Sequence, residues 1–230
     1  ASDVYKRQGM VAGLIVILLI FNFNNGITGW FGKNKNTLIV DTNQTGVVDV
    51  ELFVMSQCPY GTLAENLLQP ILSDFGQSIN FKLEFVLSET EEGFNSLHGE
   101  NEVKGNKIQA CTQKHYPNNF MDFVVCMNEN AVQIPTNWES CAKKMNYDLK
   151  VLKECYEGEE GDELLRKSAQ RANSLWVSAS PTLFINNEYY DGLFDEIFIK
   201  RTLCAELNNH PACADLPKPV KVGLVAVTSS

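Results

Sequence analysis

The chain has 230 residues, of which 44% are hydrophobic, 20% charged and 10% aromatic. That composition belongs to a folded globular protein long enough to bury a core unaided, and it excludes a wholly disordered chain or a scaffold held by disulfides alone. With 28 acidic against 19 basic side chains and a net charge of −9, the chain lacks the basic footprint that a phosphate backbone requires, so no nucleic-acid partner is expected.

Residues 9–23 (GMVAGLIVILLIFNF) form an apolar run behind Lys6 and Arg7, the pattern of a signal peptide or a signal anchor. The run is shorter than the roughly 20 residues that span a bilayer with ease, which favours a cleaved signal, while the lack of an A-x-A site leaves an anchor open. Membrane association is expected only in the anchored case. A stretch rich in Gly, Lys and Asn follows, so residues 1–36 are set apart as leader and linker. Asn43 opens the Asn43-Gln44-Thr45 sequon and is a candidate for glycosylation.

The folded part opens with residues 47–55 (VVDVELFVM), a β-branched and aromatic run of strand length. Residues 62–75 follow with apolar positions Leu63, Leu67, Leu68, Ile71 and Leu72 on one helical face. Between them lies Ser56-Gln57-Cys58-Pro59-Tyr60-Gly61. Pro59 suits the first turn of a helix, because its missing N–H has no partner there in any case, and this sets Cys58 at the helix N-terminus. Residues 79–87 (INFKLEFVL) alternate as a second strand, expected to lie parallel to the first through a right-handed crossover.

From 88 to 176 the pattern becomes helical, with segments expected near 106–116, 119–128, 138–145, 149–156 and 162–174. Trp138, Tyr147, Tyr156 and Trp176 are expected in the core of this region. Residues 157–163 (EGEEGDE) lack the ligand spacing of a calcium loop and read as a solvated acidic turn before a helix. His98-Gly99 has no evident basic or nucleophilic neighbour and reads as a turn with a satisfied imidazole. A hairpin over 182–190 turning at Asn186-Asn187, then a helix over 195–207, complete the order. Strand, helix, strand, helical insert, hairpin and helix describe an α/β chain of thioredoxin-like fold, with 47–87 and 177–207 as the domain, 88–176 as an all-helical insertion and 208–230 as a tail.

Seven cysteines stand at 58, 111, 126, 141, 155, 204 and 213. All follow the apolar run, which points to an oxidising compartment, and the odd count leaves at least one thiol unpaired within the chain. No Cys-x-x-Cys or Cys-x-x-His pair occurs, and His98, His115 and His210 are not at ligand spacing, so no metal is expected. The amides and dipole of a helix N-terminus stabilise an anion, which makes Cys58 the candidate nucleophile. Pro59 and Tyr60 beside it, with Ser180 and Pro181 at the entry to a later strand, are the expected substrate groove. In thioredoxin-like folds the proline at that place is cis and leaves a backbone edge for an extended substrate segment.

The run HGENEVKGNKIQAC resembles the signature of the gamma-interferon-inducible lysosomal thiol reductase family, with His98, Gly99, Glu102, Asn106 and Cys111 in register. The family's two earlier cysteines are replaced by Ser96 and Val103, as expected if those two pair with each other. The likeness continues through ACTQ, VVCMNE, SCAK, ECYEGEEG and SPTLFINN, and spans about residues 48–207. It departs at Gly61, where these reductases carry the second, resolving thiol of a C-x-x-C pair.

The resemblance implies a thiol–disulfide oxidoreductase acting on disulfide-containing or unfolded proteins in the secretory or lysosomal lumen, or outside the cell. With one cysteine at the site, an external thiol such as glutathione must resolve the mixed disulfide, as co-substrate rather than bound cofactor. The alternative is a non-catalytic client-binding or retention module. Cys111, Cys126, Cys141, Cys155, Cys204 and Cys213 are expected in structural bridges. Cys204 is expected with Cys213; among the other four, three pairings are open, and 126 with 141 inside 111 with 155 is preferred because it nests one helical hairpin in another.

Overall fold

The computed structural model describes residues 46–207, 209–214 and 216–217. The leader, its apolar run and Asn43 lie outside the described residues, all of which fall in the unit formed by residues 42–230. β1 (Val48–Val54) is the second strand of a four-stranded sheet ordered β2, β1, β5, β6, with β2 at Ile79–Phe85, β5 at Thr182–Ile185 and β6 at Glu188–Tyr189. β1 runs parallel to β2, with Val48 opposite Ile79 and Val54 opposite Phe85, and antiparallel to β5, with Leu52 opposite Leu183. Both faces of β1 are covered: Val48, Val50, Leu52 and Val54 enter the main core, while Phe53 packs with Phe184 on the other side. Asp49 and Glu51 alternate with the core residues in the first half of the strand, and the apolar run Leu52–Val54 is where both faces are buried. The turn from β5 to β6 places Asn186 and Asn187 at φ 50° and 65°, the left-handed pair of a tight hairpin.

Helix α1 (Pro59–Phe75) begins with Pro59 in its first turn and ends at Gly76, whose φ of 53° lets its N–H reach the Leu72 carbonyl. Its buried face carries Ala64, Glu65, Leu68, Ile71 and Phe75. Leu63, expected on that face, is instead 64% exposed. The face is centred near Leu68 and Ile71, and Leu63 lies outside its arc.

Between the strands β2 and β5 stand five helices: α2 (Glu100–His115), α3 (Phe120–Asn128), α4 (Trp138–Lys144), α5 (Leu149–Glu157) and α6 (Glu159–Ser174), with α7 (Glu196–Glu206) following the hairpin. α2 starts six residues before its expected position, so the signature residues Glu102, Asn106 and Cys111 are helical, with Gly99 as the N-cap. α6 starts at Glu159, and the acidic segment is helix on both sides of Gly158, with Glu159, Glu160 and Asp162 in the first turn, where negative charge is favoured. A short hairpin, β3 (Ser88–Thr90) with β4 (Gly93–Asn95), precedes α2. Trp138 and Tyr147 are buried, but Trp176 is 92% exposed at φ 58° and does not belong to the core expected of it.

Cys111–Cys155 joins α2 to α5, and Cys126–Cys141 joins α3 to α4 within that loop. Cys204–Cys213 joins α7 to the turn Pro211–Cys213. The nested pairing is therefore the one present. A cross-link stabilises mainly by limiting the unfolded chain, and more so for longer loops. Removing the bridge of 44-residue separation by Cys111→Ala with Cys155→Ala should cost about 4 kcal/mol, and removing the 15-residue bridge about 3 kcal/mol. Denaturant midpoints of the two double variants check this order.

Candidate functional site

The site is built where β1 ends and α1 begins. The Cys58 N–H donates to the Met55 carbonyl at 2.9 Å, folding residues 55–58 into a turn, and the Cys58 carbonyl accepts the first helical bond from the Thr62 N–H at 2.9 Å. Cys58 is thus the N-cap residue of α1, and its side chain makes no capping bond. It is the one cysteine without a disulfide partner. The thiol donates to the Ser180 carbonyl at 3.6 Å, and the residue is 8% exposed, packed with Phe53, Met55, Val86, Ala172, Val177 and Phe184.

The segment carrying Ser180 crosses in front of this turn, and the Ser180–Pro181 peptide is cis. The Ser180 hydroxyl accepts from the Met55 N–H at 3.0 Å, tying the two loops together. Cys58 and the Ser180–Pro181 loop, more than a hundred residues apart in sequence, therefore meet through Ser180. Pro59 is exposed and Tyr60 is 72% exposed, so the two residues that follow Cys58 face solvent.

Behind the turn stands α2. Asn106 accepts from the Ser56 N–H at 2.9 Å, and the Ser56 hydroxyl donates to the Glu102 carbonyl at 3.1 Å. The Glu102 carboxylate is fully buried and accepts from the Gln57 N–H at 3.2 Å, the Ser96 hydroxyl at 2.6 Å and the His98 N–H at 3.1 Å. His98 Nδ1 lies 2.6 Å from the same carboxylate. Gly105 sits where a Cβ would run into the Ser56 hydroxyl and the Ile134 side chain, so only glycine lets α2 come this close. The Gln57 amide donates to the Ile134 carbonyl at 2.8 Å.

His98 stands in a turn with its imidazole held by the Glu102 carboxyl one helical turn on, the satisfied imidazole expected of it. The signature residues Glu102 and Asn106 satisfy the amides of Gln57 and Ser56, which precede the nucleophile candidate. Sequence reasoning used them as markers and missed this role. The available signal was the spacing: Glu102, Asn106 and Gln109 repeat at three to four residues, a polar stripe on one helix face.

A second buried carboxyl lies on α1 itself. Glu65 is fully buried, accepts from the Asn128 amide at 2.7 Å through one oxygen and has no partner for the other. Burial pushes its pKa up to about 8, with the Asn128 bond pulling weakly the other way. Elsewhere His115, Cys155 and Glu160 come together, but Cys155 is spent in its disulfide and is no metal ligand.

A cysteine capping the first helix after a central strand, faced by a cis-proline loop, defines a thioredoxin-like thiol–disulfide oxidoreductase. Residues 49–145 match the model of the family described as gamma interferon inducible lysosomal thiol reductase (GILT). The chain is 26% identical over 198 residues to the gamma-interferon-inducible lysosomal thiol reductase-like protein of Anopheles gambiae, covering 74% of this chain and 81% of that one. With GILT-like protein 1 of Drosophila melanogaster it shares 24% over 194 residues, covering 73% and 78%. The fold is that of DsbA from Mycobacterium tuberculosis, with a TM-score of 0.57 at 15% identity over 72% of this chain and 85% of that one. It is similar also to the thiol–disulfide exchange protein alpha-DsbA2 of Wolbachia pipientis, with a TM-score of 0.56 at 13% identity over 71% and 84%. Among the described residues no helix is long and apolar enough to cross a membrane.

Proposed function

We propose that the chain exchanges disulfides through Cys58 alone. The Cys58 thiolate attacks one sulfur of a protein disulfide, forming a mixed disulfide and releasing the other substrate sulfur as a thiolate that takes up a proton. A small thiol, glutathione or one of its kind, then attacks the Cys58 sulfur and frees the second substrate thiol. A second small thiol attacks the resulting adduct, leaves as the oxidised dimer and restores Cys58. The two electrons that reduce the substrate come from the two small thiols. The observation that carries this reading is the single unpaired thiol at the start of α1, against the Ser180 carbonyl that leads into cis-Pro181. Exposed Pro59 and Tyr60 offer an apolar rim, and the backbone next to Pro181 offers an edge for an extended substrate segment. The three structural bridges fit an oxidising lumen of the secretory pathway, lysosomal or extracellular, with disulfide-containing or unfolded proteins as substrates.

The test is transfer from a disulfide-bearing denatured protein in the presence of glutathione. The folded chain should show one alkylatable thiol, form a mixed disulfide with the substrate and turn over. Cys58→Ser should show neither thiol nor turnover. A second reading, a client-binding module, is favoured by one observation: Cys58 is 8% exposed, with its thiol directed at a carbonyl. Substrate retention that survives Cys58→Ser, with no reactive thiol in the parent chain, would select that reading.

A further inference from the structure

Gly61 lies one turn beyond Cys58, at the place where a resolving thiol stands in a C-x-x-C site, and the space above it is already taken. A Cβ at residue 61 would meet the Ser180 hydroxyl oxygen at 2.6 Å, the Met55 carbonyl oxygen at 3.1 Å and the Cys58 Cβ at 3.5 Å. The first contact is shorter than real Cβ atoms tolerate. The hydroxyl is not free to swing away, because it accepts the Met55 N–H at 3.0 Å. Met55 is buried, so displacing that oxygen leaves a backbone donor with no partner. The same Ser180 carries the carbonyl that receives the Cys58 thiol.

We propose that Ser180 and Gly61 form a matched pair that closes the resolving position, with Ser180 acting as a positioning residue that keeps the site monothiol. This rests on the thiol-exchange reading for its consequence: release of the mixed disulfide falls to a thiol from solution. It departs from the expected role of Ser180 as part of a substrate groove. Restoring a cysteine at 61 is therefore insufficient by itself to make a dithiol site; the hydroxyl at 180 has to be removed with it.

The experiment compares Gly61→Cys with Gly61→Cys/Ser180→Ala, each equilibrated in buffers of graded reduced and oxidised glutathione. Free thiols are counted by alkylation and mass. Closing a bridge from Cys58 to the new thiol oxidises two thiols, and the two electrons and two protons convert glutathione disulfide to two glutathiones. The double variant should close with an equilibrium constant at least tenfold above that of Gly61→Cys; equal closure in the two overturns the proposal. Should either cysteine variant fail to fold, Gly61→Ala is measured in the parent and in the Ser180→Ala background. It should lower Tm in the parent by several degrees more than in the second background, and equal losses overturn the proposal. The failure of thiol exchange itself reads out separately, as absent transfer between unmodified Cys58 and a protein disulfide.

Discussion

Replacing Glu65 by Gln should flatten the dependence of stability on pH and raise stability at neutral pH. In the unfolded chain this carboxyl loses its proton near 4.5; in the folded chain it holds the proton to about 8. Its folded pKa is raised, so the contribution is fully present below the unfolded value and is lost as pH rises through the window between the two. Within that window the folded state binds more protons, and stability falls by up to about 1.4 kcal/mol per pH unit. At pH 7 the accumulated loss is about 3 kcal/mol. Glu65→Gln keeps an oxygen for the Asn128 amide and never ionises. Denaturant unfolding of both proteins from pH 5 to 8 checks this: a steeply falling line for the parent and a shallower one for the variant, in which Glu84, also raised by burial, still contributes. Parallel lines would show that Glu65 titrates normally.

Glu102→Gln should be destabilising although it conserves shape. The carboxylate receives the Gln57 N–H, the His98 N–H and the Ser96 hydroxyl, and His98 Nδ1 adds a further donor in the tautomer that carries its proton there. An amide offers one accepting oxygen and turns a donor toward the rest, so at least one part-buried N–H faces another. Each such unpaired group costs about 1–3 kcal/mol. A loss of about 3 kcal/mol is expected for Gln, and about 3–5 kcal/mol for Ala, which leaves every donor unpaired. The effect should reach the thiol as well, because the Gln57 amide sits immediately before Cys58. The denaturant midpoint should fall, and the Cys58 alkylation rate, read under conditions where the variant is folded, should change from that of the parent. A lowered midpoint with an unaltered alkylation rate would confine Glu102 to stability.

The frame of the fold was legible because its signals are local. Residues 48–54 and 182–185 are β-branched and apolar runs bounded by turn residues, and Pro59 marks the start of α1. Cys58 and Pro181 stood out because their chemistry is tied to position in an element. The scaffold behind the thiol was hidden for the opposite reason. Glu102, Asn106 and Gln109 are polar, a character that by itself favours the surface, yet all three are buried. Glu102 and Asn106 find their partners in a loop about fifty residues upstream, which no local pattern reports. The start of α2 was masked by Gly105 and Asn106, poor helix formers kept for close approach and for hydrogen bonding. Leu63 and Trp176 show that apolar character places no single residue inside. The occlusion of the space at Gly61 depends on a rotamer at residue 180 and is visible in three dimensions alone.

A protein that attacks disulfides must be spared by its own reagent. In the helical region that immunity is structural: Cys111, Cys126, Cys141 and Cys155 are all buried, so their bridges are screened from Cys58 and from small thiols alike. The bridge from Cys204 to Cys213 is only half-buried and spans nine residues. It is the weak link under reducing conditions, and as the surroundings grow more reducing the tail fastening at α7 opens first while the scaffold behind the thiol stays locked.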